Sequence, residues 1–383
     1  MTVWDDVHGA PVVAAIRRQL ERGESPHAWL LLGPSGSGKM ATATAIAAAL
    51  NCPEAPGIGC GACRTCTRIA RHRHPDVHHV VAEGTFILVD TVRGVISEAT
   101  RSPFEGRTKV FVFDEAERMN PAAQNALLKT LEEPETDTVF VLLSAREEEL
   151  LDTIRSRCRV VHLERLAEGD VVSLLEKEGA DHAAALLAAR LSEGDVRKAR
   201  SFARDEAPAE RRRLWLSIPH RLTSPAEALD VAAEIVAEAR DAMKALETEQ
   251  KREVTDLAEA MGEGRGTASV RNALARRHKR ELRRLEEDVM GEALETLASV
   301  YRDALAVRSG GAEGAANLDE LDELRLWAAA DVADSALLQA VERCVSARGA
   351  LARNANQTLV LEATLIDLAR LVPPSARVAA GRG

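Results

Sequence analysis

The stretch that most limits how this chain can fold is Gly33–Lys39, Gly-Pro-Ser-Gly-Ser-Gly-Lys, which fits the phosphate-loop pattern G-x-x-x-x-G-K. Such a loop works only between a buried strand and the N-terminus of a helix. There its backbone N–H groups converge on phosphate oxygens and the helix end adds positive potential. The flanking runs supply both elements: "AWLLL" reads as a strand and "ATATAIAAAL" as an alanine-rich helix. Gly33, Gly36, Ser37, Gly38 and Lys39 are therefore candidate phosphate-binding residues, with a plain Gly-rich turn as the alternative.

Position 40 breaks the pattern. A hydroxyl normally follows the lysine and touches magnesium, but Met40 offers a thioether, a soft and poor ligand for a hard cation. On a helix starting here Thr42 points to another side, and Thr44 lies about 6 Å further along the axis. ATP binding stays open at this loop, whereas magnesium positioning and independent ATP hydrolysis are not expected.

Apolar runs alternate with helical patterns up to about residue 165: "AWLLLG", "DVHHVV", "KVFVFD", "TVFVLLS" and "CRVVHL" read as buried strands of a mainly parallel sheet. After Leu163 only helical periodicity remains, with an expected boundary near "DEAPAER" and a weaker interruption at "GEGRGTAS" from Gly262. A net charge of -10 argues against a protein that coats nucleic acid by itself and favours protein partners. The charged helix over residues 271–290 follows its basic run with acids, which reads as a solvated face rather than a DNA contact. No long apolar span and no signal-like start are seen, so the expected location is the cytoplasm, with no membrane role.

Two further patterns carry chemistry. Asp114 and Glu115 end the apolar run "KVFVF", at the strand end where ligands gather in open α/β sheets. They suit a magnesium ligand and a water-polarising base, or else they cap the helix that begins near Asn120-Pro121. Ser144 ends the next apolar run, either to sense a terminal phosphate or to satisfy a local backbone group. Cys52, Cys60, Cys63 and Cys66 follow the spacing C-x7-C-x2-C-x2-C, which points to a closed, structural Zn²⁺ site rather than a redox pair. The histidines of "RHRHPDVHH" have no such spacing, and His78 and His79 must face opposite sides of a strand.

The run "GRTKVFVFDEAERMNPAAQNALLKTLEEP", followed by "LLDTIRSRCRVVHL", resembles bacterial clamp-loader subunits of the AAA+ class, the replication-factor-C-like group. Ser156-Arg157-Cys158 matches that group's Ser-Arg-Cys signature. The resemblance implies an α/β P-loop AAA+ domain with parallel sheet over 1–165, carrying a zinc module at 52–66. A small helical lid over 166–207, an all-α collar over 208–373 and a disordered tail over 374–383 would follow. It further implies that Arg157 reaches a neighbouring subunit's nucleotide as an arginine finger in trans, the alternative being a local salt bridge. "SEGDVRKARSFA" resembles the second-sensor helix, with Arg197 at the sensor position, and "ARNANQTLVLEATLIDLARLVPP" resembles the closing helices of the collar.

Partners implied by the resemblance are the tau/gamma and delta subunits of a DNA polymerase III loader, in a hetero-oligomeric ring. The sliding clamp and primer-template DNA are met through that complex. Within the group, Met40 together with a retained Arg157 implies the ring member that does not hydrolyse ATP. The absence of a long extension after the helical region points the same way. A tau/gamma-like hydrolysing subunit and a stand-alone AAA+ remodelling ATPase are the alternatives.

Overall fold

All five apolar runs become strands of one parallel sheet in the computed structural model, which describes residues 2–372 apart from 6, 8–9, 83–85, 134–136, 205, 262–264, 323, 326–331 and 353–354. They are β1 (Ala28–Leu32), β2 (Val77–Val80), β3 (Lys109–Phe113), β4 (Thr138–Ser144) and β5 (Arg159–His162), in the spatial order β2-β3-β4-β1-β5. Strand β4 thus lies between the strand that feeds the phosphate loop and the strand that ends in the acidic pair. Leu32 is in register with Ser144, and Phe113 with Leu142, so all three strands deliver their carboxyl ends to one crevice.

Successive side chains of a strand face opposite sides, and here both sides are covered, which is why the runs read as continuous apolar stretches. Trp29, Leu31, Val110, Val112 and Val141 pack on one side with α1 (Ala10–Glu21) and α2 (Lys39–Asn51). Leu30, Phe111, Phe113, Phe140 and Leu142 pack on the other with α4 (Val89–Ala99) and α5 (Pro121–Glu132). Two short helices, α3 (Arg64–Ala70) and α6 (Asp152–Arg155), complete this layer structure. Helix α5 starts where the sequence indicates: the Asn120 side chain accepts from the Ala123 N–H at 2.8 Å, and Pro121 fills the first turn. The turn expected at Pro134 lies outside the described residues.

Helices α7 (Glu168–Lys177), α8 (His182–Ser192) and α9 (Val196–Arg204) follow, with a small core of Val171, Leu175, Ala185, Ala188 and Ala199. They belong with the sheet to one compact unit, Met1–Arg204, and the second unit is Asp205–Gly383. Helix α10 (Glu206–Arg221) begins inside the segment "DEAPAER".

The second unit is helical throughout its described elements: α10, α11 (Pro225–Met261), α12 (Arg265–Arg308), α13 (Asp334–Ala352) and α14 (Gln357–Leu371). Trp215, Ile235, Leu294, Tyr301, Leu337 and Leu365 anchor its core. Arg212 is fastened there by the Asp319 carboxylate at 2.6 and 2.8 Å and by Asn317 at 2.7 Å. Helices α11 and α12, of 37 and 44 residues, run on past this core. Beyond it they pair through polar groups, His278 with Glu253 at 2.9 Å and Gln250 donating to Glu281 at 3.0 Å. The charged segment 271–290 is part of α12, while Gly262 of the expected interruption and the tail from residue 373 lie outside the described residues. Among the described residues no helix is long and apolar enough to cross a membrane.

At the amino edge of the sheet a single buried carboxylate organises the chain entering β3. Asp76 accepts the N–H groups of Phe104, Glu105 and Gly106 at 2.6, 2.9 and 2.7 Å. Burial alone would raise its pKa, but the three donors outweigh that and hold it below the ordinary carboxylate value. Asn51 continues the arrangement, accepting from Arg107 and Thr108 at 2.9 and 3.0 Å. Asp76→Ala strands three donors at once and is expected to cost about 3 kcal/mol in chemical denaturation. Because the folded pKa is depressed, the wild-type contribution is complete above the ordinary carboxylate pKa and fades as pH falls through the folded value. An acid-unfolding midpoint unchanged between wild type and variant would contradict this.

Candidate nucleotide site and four-cysteine cluster

Strand β1 ends at Leu32 and the chain turns at once. The Gly33 N–H donates to the Ser144 carbonyl at 3.1 Å, and a Cβ at position 33 would stand 2.0 Å from the Leu163 carbonyl oxygen, so only glycine fits. Gly36 adopts φ +82°, with room for a Cβ blocked at 2.5 Å by the Asp195 carboxylate. Lys39 turns back on the loop and donates to the carbonyls of Gly33 and Pro34 at 2.6 and 2.8 Å. Burial lowers its pKa, while Glu117, Asp114 and Glu115, in that order, pull it back up. The acids and the lysine predicted from sequence thus share one electrostatic neighbourhood.

The magnesium side of that neighbourhood lacks its hydroxyl. Met40 packs into the apolar cluster beneath α2. Thr42 donates to the Gly38 carbonyl at 3.0 Å and Thr44 to the Met40 carbonyl at 2.9 Å, so both hydroxyl protons are committed to the turn of helix before them. Ser144 likewise closes a local turn, accepting from the Arg146 N–H and donating to the Arg146 carbonyl at 3.1 Å each. Glu115 sits at φ +53° and pairs with Arg118 at 2.8 Å. Gly38, at φ +82°, is the residue from which α2 departs. Two buried polar atoms at the site, Ser37 Oγ and Glu117 Oε2, make no hydrogen bond within the protein. The Ser37 hydroxyl and the desolvated lysine are donors that fit a nucleotide phosphate, whereas the Glu117 oxygen only accepts and suits a cation or water beside it.

Three contributors escaped the sequence reading. Glu117 lies inside the quoted acidic motif but beyond the strand, and its other oxygen accepts from the Ala145 N–H at 3.2 Å. Arg165 donates to the Ser35 carbonyl at 2.9 Å, and Asp195 presses on Gly36 while capping α9 through the Arg197 N–H at 2.9 Å. No local motif announces the last two, because they approach the loop only through the fold. Arg197 itself is exposed in the first turn of α9.

Arg157 stands elsewhere. It precedes β5, and Arg159 is in register with Trp29, three residues before Leu32. At about 3.3 Å per residue the finger candidate enters at the opposite edge of the sheet from the loop of its own chain. There its guanidinium meets Glu132 and, at 2.9 Å, the Thr153 carbonyl.

The four cysteines converge as their spacing requires. Their sulfurs all lie within 4.8 Å of one another, and Cys52 and Cys63 are 3.9 Å apart. Zinc–sulfur bonds of about 2.3 Å give a tetrahedron with edges of about 3.8 Å, so the set fits Zn²⁺. Backbone N–H groups of Ala55, Cys60, Cys63 and Cys66 point at the sulfurs from 3.3 to 3.4 Å, an arrangement that favours thiolates. Donors at Cys63 and Ala62 bring the Cys60 thiol down to about 7, whereas burial pushes Cys63 and Cys66 up. The chain start leans on this module, Val3 N–H and Trp4 Nε1 donating to Gly59 and Ile58 at 3.1 and 2.7 Å.

Residues 9–167 match the family model described as "DNA polymerase III, delta subunit". The chain is 33% identical over 202 residues to DNA polymerase III subunit delta' of Bacillus subtilis (strain 168), covering 52% of this chain and 61% of that protein. It is 43% identical over 140 residues to subunit delta' of Pseudomonas aeruginosa, covering 36% and 43%. To DNA polymerase III subunit tau of Escherichia coli (strain K12) it is 34% identical over 208 residues, covering 52% and 32%. The matches span less than two thirds of each relative, and the sequence kinship is with subunits of DNA polymerase III. The fold is a parallel α/β domain with a loop of phosphate-binding pattern and a cysteine module, as the resemblance implied, followed by helices.

Beside the module, His78 and His79 face opposite ways as expected: His78 stacks on Phe111, and His79 Nε2 lies 2.6 Å from His72 Nδ1. Burial, reinforced by His72 and His78, brings the His79 pKa down to about 3. Its folded pKa lies below the ordinary 6.5, so its contribution to stability is complete above about 6.5 and is lost as pH falls toward about 3. The ring is expected to stay neutral in an NMR titration from pH 8 to 5; a His79 midpoint near 6.5 would refute this burial argument.

Proposed function

We propose that this chain is the delta-prime subunit of a DNA polymerase III clamp loader, a ring member that does not itself hydrolyse ATP. The observation that carries the reading is the separation of two halves of a catalytic apparatus. The chain keeps an arginine at the sheet edge facing away from its own phosphate loop, while Met40 stands where a hydroxyl for magnesium would follow Lys39. Kinship with delta' proteins supports it.

In this reading the chain's residues do three things. The loop from Gly33 to Lys39 holds its shape and retains the lysine that suits a nucleotide's terminal phosphates, ATP being the expected ligand. Arg157 is offered to the nucleotide of a neighbouring tau/gamma-type subunit, where an arginine in trans stabilises the charge that develops on the transferred phosphoryl group. The helical second unit serves as the collar that assembles tau/gamma, delta and this chain into the ring that handles the sliding clamp on primed DNA. The lid proposal covers 166–207 with α7–α9; Arg165, just before α7, and Asp195, between α8 and α9, touch the loop and so link lid and loop positions. Arg197 is the proposed second sensor, and Asp114, Glu115 and Ser144 keep the positions, though not the partners, of a hydrolytic site.

Two measurements test the reading. The purified chain is expected to show negligible ATP turnover and no homohexamer. In a reconstituted loader, Arg157→Ala should leave assembly intact and reduce clamp- and DNA-stimulated turnover about 10³-fold at the site it serves; unchanged stimulated turnover removes the role. Turnover by the isolated chain would instead favour a tau/gamma-like hydrolysing subunit. Separately, the cysteine module is expected to hold about one equivalent of structural zinc in metal-retaining preparations. Chelation or Cys63→Ser should expose the chain start to protease, because Val3 and Trp4 hang on residues 58 and 59. Less than about half an equivalent of zinc would count against the site.

A further inference from the structure

The side chain of Arg157 is engaged within its own subunit. One terminal nitrogen meets the Glu132 carboxylate, and the other donates to the Thr153 carbonyl at 2.9 Å and to Ser156 Oγ at 3.4 Å. The remaining donor, Nε, is buried with no partner. A guanidinium carries five N–H donors in a fixed fork, and a bidentate oxyanion satisfies it better than this arrangement does.

Glu132 has little reason to be acidic for the sake of its own helix. It is the last residue of α5, with Glu133 next in the chain, and negative charge at a helix C-terminus opposes the helix dipole. Its acceptor role is toward Arg157, across 25 positions of sequence. The pair is also open to water, with 31% of the arginine and 48% of the glutamate side chain exposed. An exposed ion pair of that kind is weak enough to be exchanged.

From these contacts we propose that Glu132 is a latch residue: it holds Arg157 against its own subunit until a neighbouring subunit's terminal phosphate displaces it. The inference rests on the arginine-finger reading and deepens it. Engagement of the finger is then an exchange of one anion for another. A carboxylate carrying a single charge is replaced by a phosphate carrying more, and the unmatched Nε gains an acceptor. Glu132 thereby suppresses turnover before the clamp and DNA bring the neighbouring site into place. It acts through Arg157 and is a positioning residue.

The test uses the reconstituted loader with ATP, with and without clamp and primed DNA. Glu132→Gln keeps the length and helix preference of the side chain and removes a charge unfavourable at that helix end, so the fold is retained. Unstimulated turnover is expected to rise about two- to five-fold, the span set by an exposed ion pair, with stimulated turnover close to wild type. Glu132→Asp, which keeps the carboxylate, should return the unstimulated rate toward wild type. The double variant Glu132→Gln/Arg157→Ala should behave as Arg157→Ala alone. An unstimulated rate that is unchanged or lower in Glu132→Gln, while Arg157→Ala still depresses stimulated turnover, overturns the latch and leaves the finger standing. Stimulated turnover indifferent to Arg157→Ala overturns both.

Discussion

The backbone contact at Gly33 is the point on which the first unit depends. Its N–H ties the end of β1 to the Ser144 carbonyl at the end of β4, while the Leu163 N–H ties the chain leaving β5 to the Leu32 carbonyl at 2.7 Å. Three strands are locked at one corner, and any side chain at position 33 would collide with the Leu163 carbonyl. The phosphate loop, the turn after β4 and the entry to α7–α9 therefore cannot move independently. Arg165, two residues past this contact, reaches Ser35, so the start of the α7–α9 segment is tied to the same corner.

That geometry explains how the site keeps its shape without a complete set of ligands. Lys39 finds acceptors in the loop's own carbonyls, and the three acids of the Asp114–Glu117 turn offset the penalty of its burial. Met40, at the position where such loops carry a hydroxyl, packs instead in the apolar layer between α2 and the sheet.

Much of this was legible in the chain. Five apolar runs with alternating partners became five parallel strands, since burial on both faces leaves little polar alternation to obscure them. The cysteine spacing led directly to a cluster, because four thiols within fifteen positions have few ways to avoid one another. The segment around Pro208 was less legible: it reads as an interruption between helical groups, yet proline is tolerated in the first turn of a helix, and α10 begins at Glu206. Asp195 and Arg165 could not be read at all, as their proximity to the loop arises from tertiary packing between residues more than a hundred positions apart. The hydroxyls of Thr42, Thr44 and Ser144 needed coordinates, since a sequence does not say which local carbonyl or amide a short hydroxyl will choose.

The direction of the sheet decides what Arg157 can serve. In a parallel sheet every strand presents its amino end at one edge and its carboxyl end at the other. Residues just before β5 are therefore separated from the loop after β1 by the length of a strand, about 13 Å for four residues. No side-chain rotation closes that distance while the β1–β5 ladder remains paired, because an arginine spans about half of it. A residue so placed reaches its own loop only if the sheet is broken.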